Sequence, residues 1–540
     1  MGIEELYHSV REEVKDPINA EIFGTIPSWI EGSLYRNGPG KFEFGETKYK
    51  HWFDGMALLH RFKIINGEVK YQNRFLESDT YTKNKNANRI VVSEFGTATY
   101  ADPCKNLFQR FFSYFTQGEY TDNTLVNVFP IGDSLYTATE TNFLNKIDSE
   151  TLERLDKTDL TKIVSVNMAT AHPHLDDDGT YHNLGTIHGK NTSYAIIKIK
   201  PPKTEKEIFC ETAEVVAKVP AQWKMSPSYF HSFSMTENFY IIIEQPLVVN
   251  SLKILTAKLR GVSFKDAMEW YPEHHTKFHI INKKTGEKIS EEVSYQSDAF
   301  FAFHTVNAYE DDGYIVLDII AMDKEFDAAK FINRSLSLET LQMASNDDEE
   351  VFQSHFRPRR YVLPIQYEMS NLGVNLVQIS DSKCEALLQE GKENTNTKVK
   401  CVMKCKHEMI ANLVMEFPQI NYRKFNGRKY RYIYGAHFVS FREADGLVKI
   451  DIDTKEILRW EEKNVVPSEP VFLASPNAIE EDDGVLLSVG LTLGDERCAY
   501  LLVINAKDLK EIGRAKVNVQ IGAGLHGIFI ENEQTKSLDI

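Results

Sequence analysis

The 540-residue sequence predicts an all-β protein, a seven-bladed β-propeller. Three observations point there: short β-rich apolar runs, a recurring acidic turn ending in glycine, and histidines at similar distances from those turns. The runs are YIIIEQPLVV, GYIVLDIIAM, GVLLSVGLTL and AYLLVINAK, most of them bounded by turn residues as strands are. The turns are LDDDGT at 175–180, YEDDGY at 309–314 and IEEDDGV at 479–485. Acidic residues and Asn tolerate the positive φ of a tight hairpin, and Gly supplies it without steric cost.

Placed against these turns, the histidines fall into a loose repeat. His172 lies seven residues before Gly179, His231 seven before Asn238 and His304 nine before Gly313. In each case a strand leads from the imidazole to a turn and an apolar strand returns. His526, in GAGLHGIFI, precedes a short strand near the chain end. His172 and His231 are 59 residues apart, His231 and His304 73, and His304 and His526 222, about three times the second spacing. A unit of roughly 70 residues with about four strands suits a blade carrying loops, and about seven would nearly fill the chain. Radial blades bring equivalent strand starts to a common axis, so four remote imidazoles can face one point.

Helical patterns are few: the first fifteen residues, 103–117 and 250–270. The polar stretch at 382–401 reads as a surface excursion without strand pattern. Charge limits the partners. A net charge of −16 excludes a nucleic-acid footprint, which needs a basic surface to displace counterions. No stretch approaches the roughly 18 apolar residues of a membrane span. The N-terminus, MGIEELYHSVREEVKDP, lacks the apolar core of a secretory signal. The six cysteines are sparse for the length and read as reduced thiols, so a cytoplasmic protein is expected. Cys401, Cys405 and His407 form C-x₃-C-x-H, which lacks the second half of a zinc knuckle.

SVNMATAHPHLDDDG, SPSYFHSFSMTENF, AFFAFHTVNAYEDDG and GLHGIFI resemble the metal-ligand segments of the carotenoid cleavage oxygenases. The resemblance runs from GSLYRNGPG at 32–40 through FDGMALLHRF, TETNFLNKID, MEFPQINYRKFNGRKYRYIYG and VPSEPVFLASPNAIEEDDG to His526. It implies one carotenoid oxygenase domain over residues 1–540, with a helix and loop cap above the face that carries the metal. It also implies that His172, His231, His304 and His526 are the catalytic ligands of one Fe(II). Imidazole suits iron, and four neutral ligands leave coordination positions for dioxygen or substrate. His174, His182 and His188 are then structural or exposed.

The family's glutamates that orient the ligand rings match Glu140, Glu416 and Glu469; an ordinary surface acid is the alternative for each. An unpaired carboxylate is expensive in the apolar or Pro-containing settings they occupy. Three such partners for four histidines leave one ligand held differently. Thr139 matches a position in the substrate pocket. The implied reaction is dioxygen-dependent scission of a conjugated polyene double bond to two aldehydes, with specificity set by an apolar tunnel. The 32 Phe and 24 Tyr are consistent with such a tunnel, and also with plain core packing.

Such a substrate must be drawn from a lipid surface. DPCKNLFQRFFSYFTQ at 102–117 resembles the membrane-facing segment of the animal enzymes, with Phe108, Phe111 and Phe112 on an amphipathic pattern and Cys104 open to acylation. A core-facing helix carries the same pattern. The stretch 248–270 is a second membrane-facing candidate in the cap. Flanking sequence around His231 and His304 looks most like the insect carotenoid isomerooxygenases, which implies central 15,15′ cleavage to retinal with trans-to-11-cis isomerisation. Eccentric 9′,10′ cleavage to an apocarotenal and an ionone, retinyl ester isomerohydrolysis, and a non-catalytic carrier are the alternatives.

Overall fold

The computed structural model describes residues 2–99, 121–189, 191–201, 212–343, 355–391, 399–440, 442–495 and 497–532, with backbone only at 258–260. Seven sheets of four to six strands stand around one axis. The first blade runs outward from Gly527–Glu531 through Gly32–Arg36, Met56–Ile65 and Glu68–Phe75 to Ile18–Asn19. The second holds Asn127–Ile131 to Arg154–Asp159, and the third Met168–Ala169 to Glu214–Pro220. The fourth begins at Ser234–Met235, the fifth at Phe300–Phe301 and the sixth at Met415–Gln419. The seventh runs from Val465–Pro467 and Val471–Ala474 outward to Glu511–Val517 and then Glu21–Gly24.

Closure therefore uses both ends of the chain. Gly527–Glu531 pairs with Gly32–Arg36 as the inner strand of the first blade, while Glu21–Gly24 pairs with Glu511–Val517 as the outer strand of the seventh.

Burial explains why the middle strands are apolar without alternation. Tyr314–Asp323 and Gly484–Thr492 are buried along almost their whole length, because neighbouring blades cover both faces. Outer strands such as Glu511–Val517 alternate instead. The core is accordingly a ring of apolar seams. Ile241, Phe278, Leu317 and Leu363 join the fourth and fifth blades, and Leu447, Leu486 and Leu502 the sixth and seventh. Each such side chain contributes roughly 1.5–3 kcal/mol on burial.

Two of the three predicted glycine turns form as expected. Asp312 and Gly313 both take positive φ, 43° and 82°, and join Thr305–Asp311 to Tyr314–Asp323. Gly179, φ 76°, donates to Asp176 O at 2.9 Å. The third differs. Asn477 supplies the positive φ there, whereas Gly484 already lies in the strand, where a Cβ would come within 2.3 Å of Leu473 O.

Other expectations need correction. The first fifteen residues form only a short 3-10 turn, Ile3–Tyr7; beyond it the chain docks on the first blade through Val10 N to Gly40 O and Val14 N to Asn73 Oδ1. Tertiary hydrogen bonds outweigh the local periodicity. The surface excursion at 382–401 contains a strand, Glu385–Glu390, paired with Cys401–Lys406 and turning Ala386 and Leu388 inward. Within 250–270 the helix is Ser251–Arg260, ended by Gly261 at φ 63°. Met268–Trp270 then returns as a strand against Leu247–Val249. No helix among the described residues is long and apolar enough to cross a membrane.

Candidate metal centre

Each of the seven blades sends one polar side chain to the same end of the axis. His526 directly precedes the inner strand of the first blade, His172 lies between the two short inner strands of the third, His231 precedes that of the fourth, and His304 sits between Phe300–Phe301 and Thr305–Asp311 of the fifth. Glu140 comes from the second blade, Glu416 from the sixth and Glu469 from the seventh. One ring nitrogen from each histidine lies within 4.8 Å of those of the other three. Nε2 of His172 is 2.9 Å from Nε2 of His231, and Nε2 of His304 is 3.3 Å from Nε2 of His526.

The outward nitrogens fix which atoms face inward. Nδ1 of His231 bonds Glu140, Nδ1 of His304 lies 2.5 Å from Glu416 Oε2, and Nδ1 of His526 lies 2.8 Å from Glu469 Oε1. An imidazole that donates Nδ1–H to a carboxylate keeps Nε2 as a lone pair. Lone pairs turned on one another in a buried space repel unless a cation lies between them. The donor set therefore fits a divalent transition-metal ion held by four neutral imidazoles. Among the described residues His172 has no carboxylate partner; its backbone N–H is fixed by Thr170 Oγ1 at 3.0 Å. Burial, then the neighbouring His526, His231 and His304 rings, pulls the His172 imidazole well below its ordinary pKa. His526 is also lowered by burial, against the opposing pull of Glu469.

The three carboxylates are held unequally. Glu140 accepts from the Tyr229 hydroxyl at 2.8 and 2.9 Å. Burial and Glu140 raise the Tyr229 pKa well above its usual value, which keeps it a donor. Glu416 Oε2 accepts from the Phe417 N–H at 2.8 Å, while its other oxygen is buried without a partner among the described residues. Glu469 is the most enclosed, 3% exposed, and accepts from Gly527 N at 2.9 Å and Gln419 Nε2 at 3.1 Å. Burial works against its ionisation, but the His526 ring, Arg36 and the Gly527 N–H outweigh it and lower its pKa.

His231, His304 and His526 open onto a cavity of about 1830 Å³. Phe53, Phe95, Phe303, Phe331, Phe356 and Phe417 are among its apolar walls, and Thr139 lines it next to Glu140. Phe417 carries strain: its φ is 55°, at a bulge between Glu416 and Gln419. That conformation costs a non-glycine residue about 1–3 kcal/mol. It sets the ring 5.3 Å from His526 and 5.8 Å from His304, centroid to centroid.

The other clustered histidines lie outside the centre. His174 bonds Phe233 O and the Tyr422 hydroxyl, His182 bonds Asp176 and Tyr240, and His188 is exposed. Cys401 and Cys405 share the buried side of one strand, and His407 contacts Tyr361. Cys104, Phe108, Phe111 and Phe112 fall outside the described residues. Reading the sequence missed Tyr229, although it stands two residues before His231, the spacing that puts strand neighbours on one side. It also missed Phe417, whose position beside Glu416 gives no hint of a left-handed backbone.

The family model described as "Retinal pigment epithelial membrane protein" matches residues 7–531. A carotenoid-cleaving dioxygenase, mitochondrial, from Mustela putorius furo is 43% identical over 528 residues, covering 96% of this chain and 95% of that protein. The β,β-carotene 15,15′-dioxygenase of Gallus gallus is 40% identical, covering 98% of each. A cobalt-substituted Synechocystis ACO and an ACO/RPE65 chimera share the fold, with TM-scores of 0.73 and 0.74, 20% identity to the chimera, and 98% of both chains covered. The mammalian relatives, mitochondrial by name, overturn the cytoplasmic expectation. That expectation rested on a missing apolar signal and sparse cysteines. Mitochondrial transit peptides are amphipathic, not apolar, and cysteine usage separates only secretory from non-secretory compartments.

Proposed function

The chain belongs to the RPE65/carotenoid cleavage oxygenase family of dioxygenases, and on that premise we propose that it binds one Fe(II) through His172, His231, His304 and His526 and splits a carotenoid double bond into two aldehydes. The observation that carries this reading is the convergence of four inward nitrogens at the wall of a large, phenylalanine-lined cavity. Ferrous iron, when bound, supplies the activation of dioxygen. The protein's own residues do the rest. Glu140, Glu416 and Glu469 hold three rings in the tautomer that presents Nε2. The aromatic walls exclude water and fix which bond of the polyene lies beside the rings, with Thr139 on that path. No acid–base pair is required of them.

The favoured bond is the central 15,15′ one, with trans-to-11-cis isomerisation of one half. The name of the chicken relative supports the first part, and the likeness of the flanking motifs to insect isomerooxygenases the second. Purified enzyme should contain about one iron per chain and consume dioxygen as a carotenoid bleaches, and mass spectrometry and chromatography of the products test the rest. Retinal with an 11-cis fraction is expected. All-trans retinal alone removes the isomerisation, an apocarotenal with an ionone moves the cut to 9′,10′, and ester hydrolysis without dioxygen uptake makes it an isomerohydrolase. A carotenoid bound and unchanged by the iron-loaded enzyme makes it a carrier.

Substrate delivery belongs to the cap. Leu252 and Leu255 on Ser251–Arg260 are 59% and 74% exposed, while Ile254, Leu255 and Ala257 reach the cavity. This places an apolar surface at the cavity mouth, suited to a lipid interface. Flotation with phospholipid vesicles tests it: Leu255→Glu should lower the bound fraction severalfold, and unchanged flotation rejects the role of this helix.

A further inference from the structure

The segment Arg36-Asn37-Gly38, part of a motif whose role the metal reading leaves unassigned, wraps the last ligand. Asn37 N donates to His526 O at 2.9 Å and Leu525 N donates back to Asn37 O at 2.9 Å. The Asn37 side chain donates to Thr124 O and Asn127 O, at 2.8 and 3.1 Å, in the neighbouring second blade. Gly38 packs so closely on Gly524 that a Cβ would fall 2.7 Å from its Cα. Arg36 completes the clamp. Its guanidinium donates through Nη2 to Leu525 O at 2.8 Å and through Nη1 to Glu469 O at 3.0 Å, with Glu469 Oε2 3.9 Å away. It is 3% exposed.

The guanidinium thus ties the backbone just before His526 to the backbone of the residue that orients the His526 ring. Charge adds a second reason for it. Three carboxylates against one divalent ion leave a single negative charge in a site whose imidazoles are neutral. Arg36 is the one cation in ion-pair range of any of these three carboxylates among the described residues. Uncompensated buried charge is costly, and a fixed guanidinium removes it.

We propose that Arg36 is the positioning residue and counter-cation of the His526–Glu469 arm, balancing the charge of the metal centre while fixing where its fourth ligand stands. This rests on the four-histidine reading of the site. A cation held near bound iron disfavours the ferric state, so its loss lowers the iron reduction potential. In the purified full-length enzyme loaded with iron, Arg36→Met should shift the potential downward, whereas Arg36→Lys, which keeps the charge, should stay near the unsubstituted protein. A purely packing role predicts no such split between Met and Lys, and equal potentials in all three proteins overturn the proposal.

Co(II) titration followed by d–d absorption supplies a readout independent of activity and of folding yield. Arg36→Lys keeps the charge but cannot make both backbone bonds, so by misplacing His526 it should weaken Co(II) binding about 10-fold. Arg36→Met loses the same bonds together with a cation that repels the metal ion, so it should bind Co(II) more tightly than Arg36→Lys does. Arg36→Met no tighter than Arg36→Lys overturns the charge argument, and Arg36→Lys as tight as the unsubstituted protein overturns the positioning role. If the unsubstituted protein binds neither metal, the four-histidine reading falls; if it binds both and the variants do not differ from it, only the role of Arg36 falls.

Discussion

At the scale of single residues, the centre is defined by what sits behind the rings. Tyr229 touches no proposed metal position, yet it bonds both oxygens of Glu140 and lies 3.2 Å from His231 Nδ1. Removing its hydroxyl frees Glu140 to turn away. Changes behind a ligand cost about 10–100-fold in metal affinity, so Tyr229→Phe should lower Co(II) affinity by at least about 10-fold at an unchanged melting temperature. Unaltered affinity would show that Glu140 needs no anchor. The histidines were legible from their place relative to turns and strands, whereas the three glutamates came from the resemblance of their motifs alone. Tyr229 and Arg36 were not read, since a tyrosine in an aromatic run and an arginine in a strand look like ordinary packing until the fold supplies their partners.

Another residue sets a pH response away from the centre. Burial pushes the His60 imidazole down to about 3, with Arg36 adding to the effect, and its Nδ1 lies 2.9 Å from the Tyr71 hydroxyl. The unfolded chain's histidine titrates near 6.5. Between those values the unfolded state binds the extra proton, so the stability contributed by neutral His60 is present above pH 6.5 and lost as pH falls toward 3. By pH 5 the loss is about 2 kcal/mol. Denaturant unfolding from pH 7 to 5 should show this fall in the unsubstituted protein and a shallower one in His60→Gln. Parallel curves would mean that His60 titrates in the fold as it does in the unfolded chain.

At the scale of elements, turn chemistry does specific work. Gly313 at φ 82° follows Asp312 at φ 43°, and nothing closer than 3.5 Å opposes a Cβ there, so only backbone conformation resists a side chain. Gly313→Ala should cost about 1 kcal/mol in urea unfolding, and Gly484→Ala, which meets Leu473 O, should cost more. The reverse order would discount the packing account of Gly484. The strand-rich pattern and two glycine turns were legible in advance because alternation and turn residues act locally. Glu385–Glu390 was not, because a polar flank hides its two inward residues, and the first fifteen residues lost their helix to hydrogen bonds with segments far along the chain.

At the scale of the whole molecule, a bound ion links four blades through His526, His172, His231 and His304 and leans on the other three through the glutamates. A ligand that binds only the folded state adds about 2.7 kcal/mol at 100 times its dissociation constant. Stripping the metal with a chelator should therefore lower the melting temperature by several degrees, and added Fe(II) or Co(II) should restore it. A melting curve indifferent to metal would argue that the ring is rigid without it. Blade number could be inferred from the repeat length; the gathering of one residue from every blade could not, because Glu140, Glu416 and Glu469 share no common spacing from the histidines.

Ring closure by the two ends of the chain also dictates an order of events. The strand Gly527–Glu531, just after His526, leaves the ribosome later than the strands of the other six blades, whereas its partner Gly32–Arg36 leaves before nearly all of them. A nascent chain can finish six of its blades and still hold only three of the four imidazoles. Assembly of the four-histidine site must therefore wait until residue 526 has been made, and a ribosome stalled before it releases a product that lacks the fourth imidazole.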